Sequence, residues 1–524
     1  MILIQQKTRE LFDLFQKKDR VLELSLLFIF FVLGLIGILN HAMWRDELNG
    51  WLIARDSHRI YELFSHVKYE GHPLLWYLCL DLLNRVTHNP VAMQILHLFI
   101  ATGAAYLFIR FSPFTNLQKI LFLFGYLPFY EYLLISRNYA IGLLTIFLFC
   151  FCFESRQKSY LRLSLILALM ANTNAYCLLI AIALTIVLTL EYFWKEKLNY
   201  KSTASKLNII ISLLIFFIGV SISVATLIPP IDSNLQGGAT EWMLQFDLVQ
   251  LARTITRIWN SYILILVPAD SKPLDLLIFT LFSLGILAFA TTIFIRKPIT
   301  LLFYLIANLE ILTFTYVKFL GSARHYGHFY IILIVSLWLA SYHSPSELLI
   351  HLSTKLPSKI NSAIANWINF VSRYKTTFII IILYAQLIAG IIAFSRELFI
   401  PYSASRKTAN YIQSHHLEKM FIIGSEDFAI SPICAYLNRK IYYPESQKFG
   451  SFVLFNSQRR STNIDKILEQ VSTISQEKEQ DILLILNYEI QNPRNDLKLS
   501  FLKKFTNSFI HNEKYYLYIA SKNI

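Results

Sequence analysis

Eleven hydrophobic runs, most of them long enough to cross a bilayer, set what this chain can become. They lie near 21–40, 91–110, 119–135, 139–153, 160–173, 175–194, 207–228, 273–295, 298–317, 326–342 and 376–396. Two further apolar stretches, near 74–87 and 254–268, are shorter than about 17 residues and read as interfacial, re-entrant or spanning helices. With 55% of 524 residues hydrophobic and 16% charged, a soluble globule could not hide this apolar surface, so lipid must solvate most of it. The chain therefore reads as a polytopic α-helical membrane protein with about 11–13 transmembrane helices.

Charge sets the orientation. The net charge of +14 carries no implication of nucleic acid, because Lys and Arg collect on cytoplasmic loops. No zinc-finger spacing, Gly-rich phosphate loop or aromatic–basic RNA-binding pattern accompanies it. The start, MILIQQKTRELFDLFQKKDR, is basic and amphipathic with no small-residue cleavage site after it, and reads as a cytoplasmic leader to an uncleaved anchor. With Lys17, Lys18 and Arg20 inside, the inner loops gather Arg110/Lys119, Arg156/Lys158/Arg162, Lys195/Lys197/Lys201/Lys206, Arg296/Lys297 and Lys355/Lys359/Arg373/Lys375. An odd number of crossings then puts the C-terminus outside. Four of the five cysteines lie in apolar stretches and only Cys434 in a soluble-looking one, so no disulfide framework is implied.

Residues 400–524 change character. MFIIG, KIYYP, DILLILN and YYLYIAS read as strands, with helices at ISPICAYL and NIDKILEQVSTISQ between them. The expected division is a membrane unit over 1–400, with an outer loop at 42–90, and a small extracytoplasmic α/β domain over 401–524. That domain could be a substrate-binding cap or a structural lid.

The outer side collects the polar motifs. Asp46 and Glu47 sit in HAMWRDELNGW, just after the first run, where acids are costly if drawn into hydrocarbon. Leu48, Trp51, Leu52, Ile60, Leu63 and Phe64 follow at helical spacing, which predicts an amphipathic helix lying on the membrane surface. Then comes Glu70-Gly71-His72-Pro73, where Pro73 suits a first helical turn and the helix N-terminus would attract an anion. Arg137 and Tyr139 sit in SRNYAIG, and Arg324, His325 and His328 in KFLGSARHYGHF. One Arg at a span end reads as a snorkelling anchor. Several on one side, facing a carboxylate pair, read as a clamp for phosphate.

RDE in a first outer loop, EGHPLLWY after it and SRNYAIG further on together resemble the GT-C glycosyltransferases, which include protein O-mannosyltransferases and bacterial lipid A aminoarabinose transferases. The likeness covers nearly the whole chain in layout and three short motifs in detail. Many members carry a double proline where this chain has Pro73-Leu74, and some have Lys at the place of His72. The resemblance implies an integral membrane glycosyltransferase of a bacterial inner (plasma) membrane. It would move a sugar from a polyprenyl-phosphate donor to a glycan, lipid or protein acceptor on the extracytoplasmic face. On that reading Asp46 is the candidate general base and Glu47 its partner or an acceptor-orienting group. The candidate substrate-binding residues are Glu70, His72, Arg137, Tyr139, Arg324 and His325, with His72, Arg137 and Arg324 facing the departing phosphate. No nucleotide fold is needed; a divalent cation beside the carboxylates stays open, without a complete ligand set in the sequence. A transporter or flippase of lipid-linked sugars would use the same basic pocket without a base, and a polysaccharide polymerase or ligase of another fold is a third alternative.

Overall fold

The computed structural model describes residues 2–195, 200, 202–235, 242–263, 272–353, 357–491 and 497–522. Among them, eight helices are long and apolar enough to cross a membrane: Arg20–Asn40, Val91–Phe111, Tyr139–Gln157, Ala175–Phe193, Lys206–Leu227, Pro273–Ile293, Pro298–Val317 and Ser358–Phe399. Each answers to one of the expected runs. Some carry bare apolar faces outward, such as Leu274, Leu277, Leu281 and Phe282 on Pro273–Ile293, which is what a lipid-facing helix shows. The protein is a multi-pass membrane protein.

The other three runs form shorter helices. The stretch 119–135 divides at Gly125 into Asn116–Leu123 and the wider, π-helical Tyr126–Leu134. The helix Ser358–Phe399 crosses at this break, and at Gly390 a Cβ would meet the Phe124 carbonyl oxygen at 2.6 Å and the Tyr126 nitrogen at 2.9 Å, so two backbones touch there. The run 160–173 gives Leu161–Ala171, and 326–342 gives His328–Ala340. Thirteen helical residues span only about 20 Å. Ile331 to Val335 are nonetheless almost wholly buried, and a short helix is tolerated where protein rather than lipid surrounds it. Of the two short apolar stretches, one becomes Leu75–Asn84 and the other Leu248–Tyr262; the expected continuation to 268 lies outside the described residues. So do Lys197, Lys201 and Lys355 of the inner basic loops.

The C-terminal unit is one six-stranded sheet. Its strands are β1 (Phe421–Ser425), β2 (Ile441–Tyr443), β3 (Lys448–Gly450), β4 (Ile482–Leu486), β5 (Leu497–Phe505) and β6 (Tyr515–Lys522), in the order β3-β2-β1-β4-β6-β5. β2, β1 and β4 run parallel, with Phe421 opposite Ile482, and β3, β6 and β5 pair antiparallel. The helices Asp427–Leu437 and Ile464–Lys478 pack on opposite faces, each in its own apolar cluster.

One expectation is corrected here. The stretch 48–64 is not a helix on the membrane surface. It divides into Arg45–Asp56 and Ile60–Val67, and Trp51, Leu52 and Ile53 are fully buried. The reason is the C-terminal unit. Leu48, Trp51 and Leu52 share a cluster with Ile430, Ile433, Leu483 and Ile485, so the helix Asp427–Leu437 lies between the sheet and Arg45–Asp56. The apolar stripe that a membrane surface would have covered is covered by protein instead. Polar bolts fasten the junction: Arg406 donates to the Asn40 carbonyl at 2.6 Å, and the Arg45 N–H to Glu513 at 3.1 Å.

Candidate functional site

The site starts at the first turn of Arg45–Asp56, where Asp46 and Glu47 point about 100° apart around the helix. Glu47 points inward. Its carboxylate accepts the Ser136 N–H at 2.7 Å, the Trp44 N–H at 3.2 Å and a bond from His41 Nε2 at 2.8 Å. The other His41 nitrogen meets Glu397 at 2.9 Å, and Tyr130 donates to the second Glu397 oxygen. Burial, the largest influence on His41, disfavours its charge, but Glu47 and Glu397 outweigh it and push the imidazole up to about 10. His41 is thus an imidazolium held between two carboxylates. Glu47 braces Ser136, the neighbour of Arg137, and lies away from the cavity.

Asp46 points the other way, into a cavity of about 850 Å³. Its Oδ2 lies 2.8 Å from Arg137 Nη1 and 2.8 Å from Arg324 Nη2, while Arg45 Nε is 3.7 Å from Oδ1. Burial works against the carboxylate, but Arg137, Arg324 and Arg45 overcome it and hold Asp46 below its usual range. Arg137 stands in the turn before Tyr139–Gln157, its backbone braced by His97. Arg324 lies over the Trp44 ring at 5.4 Å.

His72 also faces this cluster, but as an acceptor, its Nε2 against Arg137 Nη2. Burial, then Arg137 and Arg324, keep it well below the ordinary histidine range, so it is neutral. It orients Arg137 and adds no positive charge. Gly71, at φ +66°, makes the bend before it. The anion corner expected at the following helix N-terminus is partly filled, because the Leu75 N–H donates to the Asn172 carbonyl at 3.3 Å. Glu70 accepts from Asn49 at 2.7 Å and from Tyr77 at 3.2 Å. Burial pushes it up to about 7, with Arg137 opposing and Asp46 adding. Tyr139 stacks on Tyr132 at 5.7 Å and meets the edges of His72 and His325. His325 is tied through Nδ1 to Ser322 and is likewise pushed well down by burial and Arg324. His328 stands behind it, bonded to the His325 carbonyl.

Seven of the eight residues singled out from sequence thus line one cavity, although they come from segments up to 279 positions apart; Glu47 alone does not. Sequence reasoning passed over Arg45, Asn49 and Tyr176, which also line it. Arg45 was legible as the neighbour of Asp46, and Tyr176 follows the polar turn at Asn172 and Asn174. Four of the lining atoms are buried without a hydrogen-bond partner among the described residues: Arg45 Nη1, Arg324 Nε and the Tyr139 and Tyr176 hydroxyls. All four can donate. The far wall is apolar, built from Leu227, Ile228, Pro229, Ile231 and Phe314. A strap at 228–235 closes that side and pairs with 455–457 of the C-terminal unit, Asn234 N–H to the Phe455 carbonyl at 2.9 Å. Among the described residues, no group of three or more His, Cys, Asp or Glu side chains is arranged to hold a metal ion.

Fold and site together define a multi-pass membrane protein whose cavity at the helix ends is cationic on one side and apolar on the other. No family model matches the chain, and neither does any curated protein. Among solved structures, ArnT from Cupriavidus metallidurans bound to undecaprenyl phosphate is similar at a TM-score of 0.49 and 10% identity, over 95% of this chain and 97% of that one. The same protein in the apo state gives 0.48 and 11%, over the same shares.

Proposed function

We propose that this chain is a membrane glycosyltransferase that moves a sugar from a polyprenyl-phosphate donor to an acceptor hydroxyl on the extracytoplasmic face. The observation that carries the reading is Asp46, a cavity carboxylate flanked by three arginines, with an apolar wall in the same cavity at the membrane helix ends. The wall suits an isoprenoid and the arginines suit its phosphate. The acceptor hydroxyl attacks the anomeric carbon and gives its proton to Asp46. The bond from that carbon to the phosphate oxygen breaks, and the polyprenyl phosphate leaves with the electron pair. One displacement inverts the anomeric centre. Arg137 and Arg324 meet the charge that grows on the leaving oxygen. Neutral His72 holds Arg137 in line, and Glu70 and Asn49 offer hydrogen bonds to sugar hydroxyls.

Charge at the helix ends supports the extracytoplasmic side. Tyr139 lines the cavity, and Arg156 sits at the other end of the same helix, Tyr139–Gln157. Leu227 and Lys206 stand in the same relation on Lys206–Leu227, and Lys297 precedes Pro298–Val317 whose far end leads to cavity-lining Lys318. The cavity end has basic residues too, but Arg137, Arg324 and Lys318 line the cavity itself, whereas Arg156, Lys206 and Lys297 stand at the other ends, and basic loop residues of that kind favour the cytoplasm. The test is Asp46→Asn with a polyprenyl-phosphate sugar as donor. Transfer falls by roughly 10²–10⁴-fold while the donor still binds. A transporter of the same lipid would need no base, so an Asp46→Asn protein with full activity removes Asp46 from the reaction.

A further inference from the structure

The two arginines that would meet a departing phosphate are, in this structure, both bound to the residue that would serve as base. We propose that Asp46 and the donor phosphate compete for one pair of guanidinium groups, so that seating the phosphate is the event that frees Asp46 to take a proton. The inference rests on the glycosyltransferase reading above and adds an order of events to it.

The geometry is specific. Asp46 Oδ2 takes Arg137 Nη1 and Arg324 Nη2, each at 2.8 Å. A carboxylate oxygen has two in-plane lone-pair sites, and both on Oδ2 are engaged. Oδ1, with Arg45 Nε 3.7 Å away, keeps open lone pairs, but while two guanidinium groups hold Oδ2 the whole carboxylate is a weak base, and drawing them off raises its basicity as well as opening Oδ2. A phosphate monoester or diester presses on the same donors with more oxygens than a carboxylate has. The spare donors point to such a ligand. Arg324 Nε and Arg45 Nη1 are buried in this cluster without a hydrogen-bond partner among the described residues. Asp46, with two oxygens, leaves them unused. An oxyanion with three or more terminal or bridging oxygens has acceptors for them.

The competition runs in both directions, because coupling between two binding events is reciprocal. The carboxylate weakens the hold on phosphate by the same factor by which phosphate weakens its hold on the arginines. This orders the whole cycle. Donor phosphate draws Arg137 and Arg324 away from Oδ2, and the acceptor O–H proton passes to Asp46 as its oxygen bonds the anomeric carbon. The C–O pair leaves with the polyprenyl phosphate. Protonated Asp46 is a poor partner for a guanidinium, so the lipid phosphate stays bound until Asp46 gives its proton to water. The restored carboxylate then takes back the arginines and helps expel the product. A base strengthened only under a seated donor also disfavours the activation of water at the wrong moment.

Binding of undecaprenyl phosphate to the full chain in nanodiscs, with no acceptor present, tests this. The proteins compared are wild type, Asp46→Asn, Asp46→Ala and Arg137→Ala. The expected result is that both Asp46 variants bind the lipid about tenfold more tightly than wild type, within the usual range of coupling, and that Arg137→Ala binds it more weakly. Asp46 variants that bind equally or more weakly, with Arg137→Ala still impaired, overturn the competition and leave the phosphate seat standing. A wild type that does not bind the lipid, or binds it as Arg137→Ala does, overturns the seat and the competition together. Should the Asp46 variants fail to fold, infrared difference spectra of wild type labelled with ¹³C-carboxyl aspartate take their place. Saturating lipid should shift an aspartate carboxylate band, and an unmoved band overturns the proposal.

Discussion

Replacing Glu47 with glutamine should convert a pH-dependent protein into a weaker, pH-indifferent one. His41 is wholly buried between Glu47 and Glu397, with the Tyr402 ring 5.1 Å away and Tyr130 bonded to the far side of Glu397. Its folded value of about 10 stands above the 6.5 of an unhindered histidine. A raised value means stability that is complete below 6.5 and is lost as pH climbs through 10. At about 1.36 kcal/mol per unit, His41 contributes roughly 4 kcal/mol at pH 7 and only about 1–1.5 kcal/mol at pH 9. Wild type should therefore lose on the order of 2–3 kcal/mol between those pH values from this one group. In Glu47→Gln the amide NH₂ faces either His41 and the Trp44 N–H together or the Ser136 N–H, and breaking a buried pair from one side costs about 3–5 kcal/mol. The loss is limited because His41 can release its proton and accept from the new amide. The variant should start about 3 kcal/mol less stable at pH 7 and lose most of the slope. Tryptophan-monitored denaturant unfolding in detergent at pH 6, 7, 8 and 9 reads both quantities. Adding His41→Asn to Glu47→Gln should not restore the loss, because Glu397 stays buried and loses its imidazolium partner. A flat wild-type profile between pH 7 and 9, or an equal slope in the variant, refutes the buried imidazolium.

Arg137→Ala should lower turnover by about 10²–10³-fold, the usual cost of removing one donor to a developing anion, and Arg137→Lys should recover only part, because an ammonium lacks the planar fork whose two nitrogens meet Asp46 and His72; steady-state transfer rates decide it, and full recovery by Lys would count against a bidentate role. A reporter active only outside the cytoplasm should be active when fused after residue 410 and silent near Lys359, and the opposite pattern would put the cavity on the wrong face. Glu70, raised to about 7 by burial, resists ionising in the folded chain, so its contribution to stability is present below about 4.3 and is lost as pH rises through 7. Glu70→Gln should match or exceed wild type in thermal stability above pH 7 and lose any activity limb near that pH; a variant less stable at pH 8 than wild type would show that the charged form is the favoured one.

The membrane architecture was legible because lipid demands length, and length shows in any hydropathy scan. It failed where protein replaces lipid. His328–Ala340 is too short to span, yet its sequence looks like a spanning run, because a helix buried among helices is as apolar as one in a bilayer. The same ambiguity hid the burial of Trp51 and Leu52, since an amphipathic stripe does not say what covers it. In the C-terminal unit, four strands and two helices could be read from their apolar runs. β5 could not, because LKLSFLKKF lies at the edge of the sheet and carries Lys498, Lys503 and Lys504. Convergence of Asp46, Arg137 and Arg324 could be expected from their shared side of the membrane. The division of labour between Asp46 and Glu47 could not: it depends on which way two adjacent side chains turn, and His41 and Glu397, which settle it, carry no motif.

The cover over Arg45–Asp56 sets a timetable for biosynthesis. The helix that presents Asp46 leaves the ribosome early, and the helix Asp427–Leu437 that buries its apolar stripe is made some 380 residues later. At about 5–20 residues per second, that interval is roughly 20–80 s. For all of it, Trp51, Leu52 and Ile53 must lie against membrane or chaperone. Phe428, Val453 and Phe455, which complete the cavity wall, do not yet exist. The nascent chain is inserted before this cavity exists, so the membrane holds an incomplete bundle until the sheet unit is made and docks.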